Sequence, residues 1–338
     1  MSFLIAAGIG LILVPTLRRV GLTVGLVDRP GPLKIHREPV PVTGGLAVTA
    51  ATLVAVALAG GWLPPMIVSA VVLALMVGLL DDLRPTPAWV RVNLIAAAGV
   101  LASIELPLGP LGTFGTVLVV LACANGVNIL DGQDGLAGGV SAVAALSLGV
   151  VLMSSGAVGP SLGLALGGAL VAFVIWNRPP ARVFLGNGGA YAVGATLGIL
   201  AASAASTSGW RGIVAAGVCL AVLALEVAST VWRRLLSGNA LGAGDRGHTY
   251  DLLAERLGRH RTLFIFWGLA TVASALGIAV GLVPGSWWPA PAAFAGVLGA
   301  AATWTFGIAV RRARQETYVG EPVSSMHSEA TITGSRHA

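Results

Sequence analysis

Apolar runs recur along almost the whole chain, and no other feature limits its fold as strongly. Eleven can be marked, at about 2–17, 44–61, 65–81, 93–107, 113–130, 136–154, 161–176, 188–206, 211–232, 263–283 and 288–309. Each approaches the roughly 20 residues that a helix needs to cross about 30 Å of hydrocarbon. In lipid the backbone must satisfy its own hydrogen bonds, so such runs predict helices. Only 10% of the 338 residues are charged and 56% are hydrophobic, whereas a soluble domain carries about 25% charged residues. The expected fold is all-α: a polytopic membrane protein with about 11 transmembrane helices. The 47 glycines suit close helix approach in lipid.

Charge gives this bundle a direction. No basic residue precedes the first run and Arg18-Arg19 follow it. A secretory signal has the opposite order, so the first helix is expected to be retained. If the segment after run 1 is inside, every Lys and Arg except Arg211 falls on an inside loop or in the tail. The positive-inside rule then predicts an outside N-terminus and a cytoplasmic C-terminus. Residues 1–312 form a single integral-membrane domain in this reading, and the polar residues 313–338 a disordered cytoplasmic tail. The net charge of +6 lies beside apolar runs, which suits lipid headgroups and excludes nucleic acid as the expected partner. Cys123 and Cys219 sit inside apolar runs, which excludes a disulfide framework and a Cys-rich zinc site. Trp62, Trp287 and Trp288 read as interfacial anchors near the outer boundary.

The inside segments carry the chemistry. Asn125-Gly-Val-Asn-Ile-Leu-Asp-Gly-Gln-Asp-Gly-Leu-Ala137 sets Asp131 and Asp134 three residues apart among glycines, behind Asn125 and Asn128. An i,i+3 pair shares one helix face, and charge at the end of an apolar run is costly unless compensated. A divalent cation or a basic partner would compensate it. Asp81-Asp82 end another run, where two acids oppose the helix dipole; Mg²⁺, which takes carboxylate and phosphate oxygens, suits them. Lys34, His36 and Arg37 with Arg29, and separately Arg178, Arg182, Arg233 and Arg234, suit an anionic substrate or lipid headgroups. His248, in Gly244-Asp-Arg-Gly-His248, suits phosphate binding or proton handling beside Arg246. Glu226, inside a run, reads as a structural partner for a basic group.

Together these segments resemble the polyprenyl-phosphate N-acetylhexosamine-1-phosphate transferase superfamily, over roughly residues 1–310. Asp28-Arg-Pro with Lys34-Ile-His36 and Pro41-Val-Thr-Gly-Gly45 is similar to its first cytoplasmic loop. Gly78-Leu-Leu-Asp-Asp82 is similar to its aspartate pair, and Asn125–Ala137 to its most specific signature. Asn177-Arg-Pro-Pro-Ala-Arg-Val-Phe-Leu-Gly186 matches the stretch before the family's metal-binding aspartate, and Asp245-Arg-Gly-His248 the start of its histidine motif. The helix count resembles the undecaprenyl-phosphate N-acetylglucosamine-type branch. Two positions depart from the pattern. Asn187 stands where the family has aspartate, and Thr249-Tyr-Asp251 replaces the rest of the histidine motif.

The resemblance implies a phosphoglycosyltransferase of the multi-pass cytoplasmic membrane, serving polysaccharide or cell-wall biogenesis. A UDP-sugar and polyprenyl (undecaprenyl) phosphate would give a polyprenyl-diphosphate sugar and UMP. The implied cofactor is Mg²⁺, with Mn²⁺ as a substitute, near Asp131, Asp134 and Asn187. Asp81 or Asp82 would orient or deprotonate the lipid phosphate, and His248 and Arg246 would contact the diphosphate. Lys34, His36, Asn125, Asn128, Asn177 and Arg182 complete the expected substrate-binding set, and a homodimer is compatible with it. Asn187 motivates an alternative, an impaired relative that binds polyprenyl phosphate or nucleotide sugar without turnover. A transporter is a further class, disfavoured because the acids cluster at one face and not at the midplane.

Overall fold

The computed structural model describes residues 1–31, 36–153, 159–237 and 247–283. Lys34, Asp245, Arg246, Trp287, Trp288, the run at 288–309 and the tail lie outside the described residues. The helices are α1 (Ser2–Val24), α2 (Gly44–Leu58), α3 (Pro65–Leu83), α4 (Ala88–Ile104), α5 (Gly109–Leu130), α6 (Leu136–Met153), α7 (Pro160–Asn177), α8 (Gly186–Cys219), α9 (Ala221–Ser237), α10 (Thr249–Leu257) and α11 (Arg259–Leu282). Seven of them, α1, α3, α5, α6, α7, α8 and α11, are long and apolar enough to cross a membrane, and α2 and α4 are shorter apolar helices. The chain is a multi-pass, mostly helical membrane protein. Leu4, Leu11 and Ile12 of α1 and Leu269, Val272 and Leu276 of α11 point outward. A soluble protein would bury such rows; a lipid-facing one need not.

α8 is the centre, buried along nearly all of its apolar window and packed against α2, α3, α5, α6 and α11. Small residues allow this. A Cβ on Gly45 of α2 would overlap the backbone of Gly189 in α8, so neither helix could approach as it does with alanine there. α1 packs on α7 and α2. Cys123 and Cys219 are buried free thiols.

The helix boundaries differ from the sequence expectation in three places. The runs at 188–206 and 211–232 become one element broken at Gly209 (φ 54°, ψ −134°), then a second break at Leu220. The bend is sharp enough that a Cβ on Gly212 would meet Ala204's carbonyl oxygen. The inside segment 233–262, too polar to register as a membrane run, contains the end of α9, all of α10 and the first turn of α11. A two-residue antiparallel pair, β1 (Val27–Asp28) with β2 (Val40–Pro41), interrupts the all-α pattern. Arg211, the one basic residue expected outside, donates from Nε to the Val280 carbonyl near the end of α11 at 2.8 Å. Carbonyls in the last helical turn lack intrahelical partners, which makes that end a favourable place for a guanidinium.

Candidate active site

The site lies where the C-terminal ends of α3 and α5 meet the N-terminus of α8. The first N–H groups of any helix lack intrahelical partners and carry the positive end of its dipole. At α8 the residue before the helix, Leu185, supplies no side-chain cap. Carboxylates from other helices do. Asp82 of α3 accepts from Asn187 N and Gly188 N, each at 3.0 Å. Asp131, just past α5, accepts from Gly186 N at 3.2 Å. Gly186 has φ 74°, and a Cβ there would crowd Asp82 Oδ2 and the Val42 carbonyl, so the turn into α8 requires glycine.

Asp81 is held as firmly from the other side. It accepts from the Thr86 backbone and hydroxyl and from Arg91 Nη1 at 2.9 Å. Asn187 Nδ2 donates to its second oxygen at 3.0 Å. A carboxylate only accepts, so Asn187 must turn its amide nitrogen to Asp81 and its carbonyl away. That carbonyl accepts from Asn128 Nδ2 at 2.6 Å. The expected metal ligand is thus a neutral bridge between an acid and an amide.

The 131–135 turn is braced from four elements. Asp134 accepts from Ala181 N at 3.0 Å. Asn177 accepts from Gly135 N and donates to the Val183 carbonyl, both at 2.9 Å. Gln133 reaches the Arg259 carbonyl, and Trp267 Nε1 the Gly135 carbonyl. Tyr250 donates to the Ile129 carbonyl at 2.9 Å. Two expected substrate contacts are relocated by this geometry. Asn177 is 2% exposed with both ends of its amide used on backbone, so it latches the turn and does not line the cavity. Asn125 is exposed, bonds back to the Leu121 carbonyl of its own helix and is also absent from the cavity wall.

An open cavity of about 1380 Å³ faces these groups. Asp81, Asp82, Asn128, Asp131, Asp134, Asn187, His36, Arg182 and His248 all line it. His36 is joined to Asp28 at 3.0 Å and to the Glu38 carbonyl at 2.8 Å, and meets Phe184 edge-on. Sequence reasoning missed Arg18, Arg259 and His260, which with Arg234 form a basic part of the wall. Arg18 had been absorbed into the topology argument, yet its Nε holds the Arg182 carbonyl at 2.9 Å. Tyr250 and Asp251, in the place of the incomplete histidine motif, also line the wall.

The charges are unevenly balanced. Burial pushes the Asp131 carboxyl well above the usual carboxylate range; the negative charges of Asp82, Asp134 and Asp28 add to this, and the Gly186 N–H opposes it. A cation at this point would oppose that shift by favouring the charged carboxylate. Among the described residues no three His, Cys, Asp or Glu side chains form a ready metal cage. Asp131 and Asp134 each keep one oxygen outside the hydrogen bonds given above. That donor set fits Mg²⁺, which binds through one or two carboxylates and takes phosphate and water for the rest.

The family model for glycosyl transferase family 4 matches residues 64–205, the stretch that carries all four of these aspartates and Asn187. A probable undecaprenyl-phosphate N-acetylglucosaminyl 1-phosphate transferase of Bacillus subtilis is 25% identical over 79% of this chain and 80% of its own. An undecaprenyl-phosphate alpha-N-acetylglucosaminyl 1-phosphate transferase of Yersinia pestis is 28% identical over 79% of each. A phospho-N-acetylmuramoyl-pentapeptide-transferase of a Synechococcus strain is 36% identical over 53% of this chain and 51% of its own. With acids gathered at a helix N-terminus inside the matched stretch, these likenesses support a place in glycosyl transferase family 4, and the chain is an enzyme of the phosphoglycosyltransferase type.

Proposed function

We propose that this enzyme transfers a sugar-1-phosphate, of the N-acetylhexosamine class, from a UDP-sugar to polyprenyl phosphate at the cytoplasmic face of the cell membrane. The observation that carries the reading is the meeting of Asp82 and Asp131 at the α8 N-terminus in a large open cavity with arginines on its wall. Relatives named as undecaprenyl-phosphate N-acetylglucosaminyl 1-phosphate transferases over most of both chains support the same chemistry. One basic face for all inside loops supports the orientation, with about 11 spans and a cytoplasmic C-terminus.

In this reaction an oxygen of the lipid phosphate attacks the sugar-bearing phosphorus of the UDP-sugar. The bond to the bridging oxygen breaks, and UMP leaves with that oxygen. Two anions must approach, so their repulsion has to be offset. Asp131 and Asp134 would hold Mg²⁺, which supplies charge neutralisation on the phosphate oxygens. Arg18, Arg182 and Arg259 offer charge-assisted hydrogen bonds to phosphate. His248 faces the diphosphate from the α10 side. The lipid phosphate is already ionised near neutral pH, so Asp81 and Asp82, with their oxygens engaged by N–H and guanidinium donors, serve to build and orient the site.

The test is a panel of UDP-sugars with undecaprenyl phosphate and Mg²⁺ in detergent, scored for UMP. Release with at least one UDP-N-acetylhexosamine is expected. Binding of the nucleotide sugar without UMP from any member would favour the impaired relative. Asn187 is the observation on that side.

A further inference from the structure

One face of α9 is turned to the start of α10, and it carries polar groups that the proposed reaction does not use. Glu226, Ser229 and Thr230 lie within four residues and so share that face. Glu226 is 2% exposed and its carboxyl lies against Thr249, with Oε2 buried and without a hydrogen-bond partner. Ser229 Oγ lies 3.3 Å from Thr249 Oγ1. Thr249 is the first residue of α10, and His248 before it gives no side-chain cap. A carboxylate from α9 therefore meets the N-terminal turn of α10, where an acid is favoured.

Thr230 is 2% exposed, and its Oγ1 lies 3.1 Å from His248 Nδ1. Inside a helix a threonine hydroxyl usually bonds back to the carbonyl four residues earlier. Here that carbonyl, of Glu226, accepts from Ser229 at 3.0 Å. The Thr230 hydroxyl is directed to the imidazole. Tyr250 stacks on the same ring at 5.4 Å, 8° from parallel, and is itself tied to the Ile129 carbonyl beside Asp131. The ring is thus held at one edge by α9 and on one face by a side chain anchored to the acidic turn.

We propose that Thr230 is a positioning residue for His248. Its hydroxyl holds Nδ1 and fixes the ring plane, and by donating to Nδ1 it leaves Nε2 to meet phosphate oxygens as a donor. Ser229 meets Thr249 at the same junction. Hydrogen bonds to one ring nitrogen set the role of the other, and geometry lost at a supporting group is felt at the reacting one. The inference rests on the placement of His248 at the diphosphate, and the experiment separates the two.

Steady-state UMP release is measured for T230V, T230S, H248A and T230V/H248A, each across pH. T230V is expected to lower kcat about 10-fold with KM within about twofold, the pattern for a group acting in the transition state. Its kcat–pH profile should be displaced, T230S should restore both, and T230V should add nothing to H248A. If T230V does not fold, T230S against T230A makes the same comparison of hydroxyl with none, and equal activity of the two overturns the proposal. Wild-type kcat and pH profile in T230V while H248A is impaired overturns it alone, as does full additivity of the pair. Wild-type turnover by H248A refutes the placement of His248 and the proposal with it.

Discussion

Asn187 Nδ2 donates to Asp81 Oδ2 at 3.0 Å while its own carbonyl accepts from Asn128 at 2.6 Å. One amide therefore joins the end of α3 to the end of α5 across the first turn of α8. Only a group with both a donor and an acceptor can do this. Aspartate, which the family pattern places here, would set a second carboxylate against Asp81 and lose the donor.

The first prediction concerns that exchange. N187D should destabilise the enzyme in EDTA by about 1–3 kcal/mol, the cost of breaking a partly buried hydrogen bond and opposing like charges. Added Mg²⁺ should narrow the gap, because a cation is the natural partner for the extra charge. Thermal unfolding in detergent with and without Mg²⁺ reads both effects. An N187D protein as stable as wild type in EDTA would show that the bridge carries no weight. A large gain in Mg²⁺-dependent UMP release by N187D would mark the natural asparagine as an impairment.

The second prediction follows from the cap on α8. Asp82 meets two N–H groups that have no intrahelical partner. D82A should leave both unpaired and cost about 2 kcal/mol, the upper range for removing a cap. D82N keeps one accepting oxygen and should fall between D82A and wild type. Unfolding midpoints measured without substrate give the order. A D82A midpoint equal to that of wild type would mean that the cap contributes nothing.

Asn177 supplies the third. With both ends of its buried amide on backbone atoms of two loops, N177L should cost about 1–3 kcal/mol for each group left unpaired. KM for the UDP-sugar, taken on the folded fraction, should change by less than about twofold. A tenfold rise in KM at unchanged stability would return Asn177 to the substrate-binding set.

These three residues also show how far the sequence could be read. Helices were legible because lipid demands long apolar runs, and the acidic motifs stood out because charge is costly beside them. The exchange of roles within the motifs was not legible. Asn177 and Asn128 have the same chemistry and similar surroundings in sequence, yet one latches a turn and the other faces the cavity. That difference depends on what each amide meets across the fold, Gly135 for Asn177 and Asn187 for Asn128, and both are distant in the chain. Arg18 was hidden for another reason. A basic residue after a membrane run already has an explanation in topology, so nothing pointed to a second use. α10 escaped because nine residues with mixed polarity leave no run to detect.

The last prediction is about the metal. Asp131 and Asp134 line the cavity, and each spends one oxygen on a backbone N–H, of Gly186 and Ala181 respectively, and keeps the other outside these bonds. Asparagine at either position can keep the N–H contact and removes one negative charge. D131N and D134N should therefore fold normally and need at least about tenfold more Mg²⁺ for half-maximal UMP release, equivalent to about 1.4 kcal/mol of lost binding. D28N is the control. Asp28 lines the same cavity, but it is spent on His36, so D28N should leave the Mg²⁺ requirement within about twofold of wild type. Titration of UMP release against Mg²⁺ after EDTA treatment distinguishes them. If all three variants shift together, the cavity's total charge attracts the cation; a shift confined to D131N and D134N places it on that pair.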